Sequence, residues 1–103
     1  MRLEQITYFL RVAEHGNITA AAKSLYISQP ALSKQITLLE QEIGLPLFER
    51  QARGVTLTRA GMQFQKDLKN ILKELENAKK NAVLAGRAQK PLLNIGCFDG
   101  VYS

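Results

Sequence analysis

Leu32, Ile36, Leu39 and Ile43 recur at intervals of four, three and four residues, which places them on one narrow stripe of an α-helix. They fall within or just after Ser28 to Glu42, SQPALSKQITLLEQE, where Ser28 suits an N-cap and Pro30 stands in the first turn, where a missing N–H costs nothing. The same logic predicts a first helix over Leu3 to His15, with Leu3, Ile6, Leu10 and Ala13 on its buried side, Phe9 adjoining and Gly16 as the stop. Between the two, Thr19 is expected to cap a very short helix through Ala20, Ala21 and Ala22 to Leu25, whose small side chains allow close crossing. A turn at Tyr26 and Ile27 leads directly into Ser28, and two short helices so closely joined have the spacing of a helix-turn-helix or of an ordinary helical hairpin.

After Gly44 the period changes. Leu47, Phe48, Glu49 and Arg50 predict one short strand, Val55, Thr56, Leu57 and Thr58 a second, with Gln51, Ala52, Arg53 and Gly54 between them. A hairpin with an arginine near its tip reads as a wing. It favours a nucleic-acid partner over a plain bundle, in which the hairpin would only close the core and leave Arg53 solvated. Thr58 then caps a helix from Arg59 to about Arg87, roughly 45 Å long at 1.5 Å per residue. Phe64, Leu68, Ile71, Leu75, Ala78, Ala82 and Ala85, with Leu72 beside them, repeat at alternating steps of four and three residues. Such a seam needs cover. A small domain can cover its first half, and the second half is expected to pair with another copy of the chain. Gly86, Lys90 and Pro91 stop the helix, and PLLNIGCFDG predicts a strand that opens a further domain, so the sequence reads as cut there.

Composition narrows the class. One hundred and three residues, 46% hydrophobic and 22% charged, suffice for one small domain with a modest core. No apolar run approaches the roughly 20 residues of a membrane span, and none follows Arg2 as a leader would require, so a cytoplasmic protein without a membrane partner is expected. A formal net charge of +5 favours a polyanionic partner. Its distribution points elsewhere than the Ser28 helix, with seven bases against five acids in residues 1–60 and seven against three in residues 61–90.

The chemistry of the exposed helix face is more informative than its charge. Pro30, Lys34, Thr37 and Gln41 lie opposite the apolar stripe, with Gln29 and Ser33 on one flank, and acids enter only at Glu40 and Glu42. Amide, hydroxyl and ammonium groups suit base edges and phosphate. Catalytic chemistry finds no footing. The sequence offers no Gly-rich phosphate loop, no paired catalytic carboxylates and no nucleophile with a base, and the hydroxyls of Ser28 and Ser33 have a simpler role on a capped helix. One cysteine, Cys97, and one histidine, His15, far apart in sequence, argue against a disulfide, a cysteine zinc site or a metal- or oxidation-sensing regulator.

Three stretches resemble the LysR-type transcriptional regulators in order and spacing: LEQITYFLRVAEHGNITAAAKSL, SQPALSKQITLLEQEIGLPLFER and RGVTLTRAG. The resemblance covers essentially residues 1–90. It implies a mainly α fold, with a winged helix-turn-helix of three helices and a two-stranded wing over 1–58, a linker and dimerisation helix over 59–88, and in 89–103 the start of a truncated effector-binding domain. By position, Gln29, Pro30, Ser33 and Lys34 correspond to residues facing the major groove, and Arg53 to a wing arginine at the minor groove. Thr19, Ser28, Gln35 and Arg50 correspond to phosphate or local structural contacts. Thr37 stands where arginine is common in the family, and Asn17 and Ile18 replace serine and phenylalanine, the latter change being expected to be silent for DNA binding.

The function implied is sequence-specific transcription regulation. A homodimer would bind an inverted repeat in double-stranded DNA, with higher oligomers and RNA polymerase as further partners of the full-length protein. No cofactor is expected in these residues, and a small-molecule effector would occupy the missing C-terminal domain. The competing class is a winged-helix module that binds proteins and no DNA.

Overall fold

The structure is a computed structural model that describes residues 1–88, so the strand expected in PLLNIGCFDG lies outside the described residues. Six elements follow in order: α1 (Leu3–His15), α2 (Ile18–Leu25), α3 (Gln29–Ile43), β1 (Phe48–Gln51), β2 (Gly54–Leu57) and α4 (Arg59–Ala88). They form a winged helix-turn-helix followed by a long helix. The chain divides into two units, Met1–Lys69 and the residues from Asn70 onward.

Local sequence sets each boundary. Gly16 ends α1 at φ 65°, a left-handed conformation that costs glycine little, and donates its N–H to the Val12 carbonyl. The cap of α2 is Asn17, whose side chain accepts from Ala20 N–H at 2.9 Å; Thr19 sits inside the first turn instead. Both residue types can cap, and the one that directly follows the αL glycine takes the position. Ser28 caps α3 as expected, with Oγ accepting from Ala31 N–H at 3.2 Å, and Thr58 caps α4 by accepting from Gly61 N–H at 3.0 Å.

The buried face of α1 is rotated from the one its period suggests. Leu3 is exposed, Ile6, Leu10 and Ala13 are partly buried, and the inward residues are Gln5, Phe9 and Val12. Phe9 decides the rotation. Its ring is fully buried, 5.2 Å from that of Phe48 and 5.1 Å from that of Phe64, and so ties α1 to the wing and to α4. Gln5 is tolerated inward because its amide is occupied at both ends: Oε1 accepts from Arg2 N–H at 2.9 Å, and Nε2 donates to Gln35 Oε1 at 3.2 Å.

Ile18, Ala21 and Ala22 of α2, Leu32, Ile36 and Leu39 of α3, and Leu47, Phe48, Val55 and Leu68 complete the core. The hairpin is tighter than expected. β1 and β2 pair antiparallel from Phe48 opposite Leu57 to Gln51 opposite Gly54, leaving only Ala52 and Arg53 in the turn, while Leu47 precedes the strand.

Leu68, on the seam that the period predicts, is buried in this core, and Phe64 packs against it, partly buried. One domain has enough apolar surface to cover the first turns of α4, so intramolecular packing claims them first. Ile71, Leu75, Ala78, Ala82 and Ala85 are exposed, and Leu72 is half-buried. No helix among the described residues is long and apolar enough to cross a membrane.

Candidate nucleic-acid interface

The outward face of α3 carries Pro30, Lys34, Thr37 and Gln41, all exposed, with Gln29 and Ser33 half-buried on its flank. The inward stripe of Leu32, Ile36 and Leu39 is what turns this face to solvent. From His15 through Leu39 the chain holds no acidic residue, so carboxylates are absent from α2 and from the first turns of α3. Among the described residues Lys34 makes no ion pair, which leaves its three ammonium donors available.

The wing is bonded to this helix. Arg50 Nη2 donates to Ser33 Oγ at 3.2 Å, while Ser33 keeps its hydroxyl hydrogen and the exposed guanidinium keeps its other donors. Thr37 Oγ1 donates back to the Ser33 carbonyl at 3.0 Å and so stays within the helix. A cleft of about 190 Å³ opens where the starts of α2 and α3 meet the wing, and Thr19, Gln29 and Arg50 line it together. Helix N-termini present unpaired backbone N–H groups and positive dipole ends there, a setting that favours an anion such as phosphate. Arg53 stands exposed in the two-residue turn at the wing tip.

Two of the expected contact residues have structural tasks. Ser28 Oγ is engaged in the α3 cap. Gln35 is half-buried, and its amide oxygen receives the Gln5 side chain, so it fixes α3 on α1 and does not join the exposed face. Glu40 went unassigned in the sequence and proves to hold the loop after α3: one carboxylate oxygen accepts from Leu47 N–H at 2.7 Å and Phe48 N–H at 3.1 Å. Its signal was an acid three residues past the Thr37 position on an otherwise acid-poor helix. The described residues contain no group of three or more His, Cys, Asp or Glu able to hold a metal.

Residues 3–62 match the family described as "Bacterial regulatory helix-turn-helix protein, lysR family". The HTH-type transcriptional regulator ClcR of Pseudomonas putida is 44% identical over 101 residues, 98% of this chain and 34% of ClcR. BudR of Klebsiella aerogenes, also an HTH-type transcriptional regulator, is 46% identical over 96 residues, 93% of this chain and 67% of BudR. The chain thus spans about a third of ClcR's length. In the crystal structure of a CbnR_DBD–DNA complex, the protein superposes with a TM-score of 0.78 at 41% identity, covering 84% of this chain and 99% of that one.

Proposed function

The chain belongs to the LysR family of bacterial regulatory helix-turn-helix proteins, and on that premise we propose that residues 1–58 bind double-stranded DNA as the reading head of a transcription regulator. The observation that carries this is the exposed, acid-free first half of α3 held beside the wing by the Arg50 to Ser33 hydrogen bond. Lys34 and Gln29 read base edges in the major groove, since an ammonium reaches guanine acceptors and an amide pairs with adenine. Pro30 and Ser33 pack along the same groove wall. Thr19 and Arg50 line the cleft at the helix starts and hold a backbone phosphate. Arg53 enters the minor groove from the wing tip, where a narrow A·T-rich groove has the most negative potential.

Residues 59–88 act as the linker, and a second copy of the chain covers the outer part of α4. Ile71 and Leu75 are 54% and 42% exposed, large values for side chains on a 3.5-residue repeat, and Ala78, Ala82 and Ala85 continue the stripe with residues small enough for close approach. Two copies would present two α3 helices to successive major grooves, about 10 base pairs apart, on an inverted repeat. Effector binding and any contact with RNA polymerase belong to parts of the protein beyond residue 88.

Selection of bound duplexes from a random DNA pool tests the proposal. Enrichment of an inverted repeat with that spacing is expected. A pool that remains random through the selection would exclude sequence-specific DNA binding and favour the protein-binding alternative.

A further inference from the structure

The wing is fastened to the helix-turn-helix within two residues of Arg53. Val55 donates its backbone N–H to the Gly16 carbonyl at 3.0 Å. That carbonyl lies between two helix ends, since Gly16 closes α1 in the left-handed conformation and Asn17 caps α2. Gly54 makes the approach possible. Its φ is 151°, which L side chains rarely adopt, and a Cβ built there would collide with the backbone oxygen of Gly16 and lie 3.3 Å from its carbonyl carbon. Neither Ala52 nor Arg53 has a positive φ, so the unusual dihedral falls on the residue that touches the helical unit. On the opposite strand, Arg50 bonds to Ser33 of α3. The hairpin is therefore hydrogen-bonded to the α1–α2 turn through β2 and to α3 through β1, by Arg50 near the tip and by the Phe48 N–H at the base.

We propose that Gly54 is a positioning residue for DNA recognition: it lets β2 lie against the Gly16 carbonyl and so fixes the offset between Arg53 and α3. Gly54 itself touches no DNA. A two-stranded hairpin without support is marginal in water, and an arginine on a loose tip must be ordered at the moment of binding. The attachment removes that ordering cost beforehand, so wing and α3 meet one duplex in a single geometry. The inference rests on the proposal that Arg53 enters the minor groove.

The full chain serves for the test, as wild type, Arg53→Ala, Gly54→Ala and the double variant. Each is titrated with two duplexes that share the selected half-sites and differ in A·T-rich or G·C-rich flanks. Arg53→Ala and Gly54→Ala are each expected to weaken binding about tenfold on A·T flanks and far less on G·C flanks. The double variant is expected to lose no more than Arg53→Ala alone, because both act through the same side chain. A Gly54→Ala protein that binds like wild type, that loses equally on both flanks, or whose loss adds in full to that of Arg53→Ala, overturns the positioning role while leaving the flank preference of Arg53→Ala intact. An Arg53→Ala protein without flank preference overturns the minor-groove reading itself, and this inference with it. Amide exchange in the wild type keeps the inference open to refutation if Gly54→Ala fails to fold. The Val55 N–H is expected to exchange as slowly as the paired amides of the wing, and exchange as fast as that of Arg53 at the tip overturns the attachment.

Discussion

Lys34 and Arg50 are both exposed bases, but they differ in what they are free to do. Lys34 has no ion-pair partner among the described residues, whereas Arg50 already spends one N–H on Ser33. Lys34→Ala is therefore expected to alter sequence preference at one position per half-site, at a cost of about 1–3 kcal/mol, read by competition with single-base variants of the selected site. A uniform loss across those variants would make Lys34 a phosphate contact. Arg50→Ala is expected to show the opposite pattern: losses alike on every sequence, and a salt dependence shallower by about one unit in log–log slope. A sequence-selective loss would contradict that role. Periodicity made Gln29, Ser33 and Lys34 legible in the sequence because it assigns a residue to a face. It says little about reach, which is why Glu40 looked like a surface acid; the family resemblance left Gln35 as a phosphate or local structural contact, and its amide bonds to Gln5. The cap of α2 was missed for a related reason, since Asn17 and Thr19 are both competent and only the geometry after Gly16 decides between them.

At the scale of elements, α3 was the most legible, because its N-cap, its early proline and an unbroken apolar stripe agree. Helix α1 was less so. Its apolar residues spread over more than half the circumference, and the inward direction is set by Phe9 meeting Phe48 and Phe64, partners about forty and more residues away in sequence. The wing was visible as a hairpin, but its tight turn depends on Gly54 taking a dihedral that no pattern of apolar residues announces. The join between α3 and the wing rests on Glu40. Removing its carboxylate strands the N–H groups of Leu47 and Phe48, one bonded at 2.7 Å and the other at 3.1 Å, in a partly buried loop. Glu40→Ala is expected to destabilise the fold by about 1–3 kcal/mol. Thermal unfolding followed by circular dichroism measures this as a fall in Tm of roughly 4–8 °C per kcal/mol. An unchanged Tm would mean that water replaces the carboxylate at no cost.

For the whole molecule, the proposal is that a second copy of the chain covers the outer part of α4, where Ile71 and Leu75 are exposed. The heptad-like spacing suggested this, but it could not say where self-packing ends; the structure puts the change after Leu68, which is 3% exposed, where Ile71 is 54% exposed. Leu75→Glu would bury a carboxylate per subunit in the proposed helix pair. Monomers with the winged domain still folded are expected, together with much weaker binding to a two-half-site duplex, because the second contact is no longer tethered. Sedimentation at micromolar concentration checks this, and a Leu75→Glu protein that stays dimeric would refute the pairing. The interface itself is tested most directly by the affinity of the wild-type chain for its selected duplex between 50 and 200 mM salt. If α3, the helix starts and the wing grip the DNA backbone through about six phosphates, affinity should fall roughly a thousandfold over that range. Affinity that stays nearly constant as salt rises would contradict a DNA-binding surface on this face of the molecule.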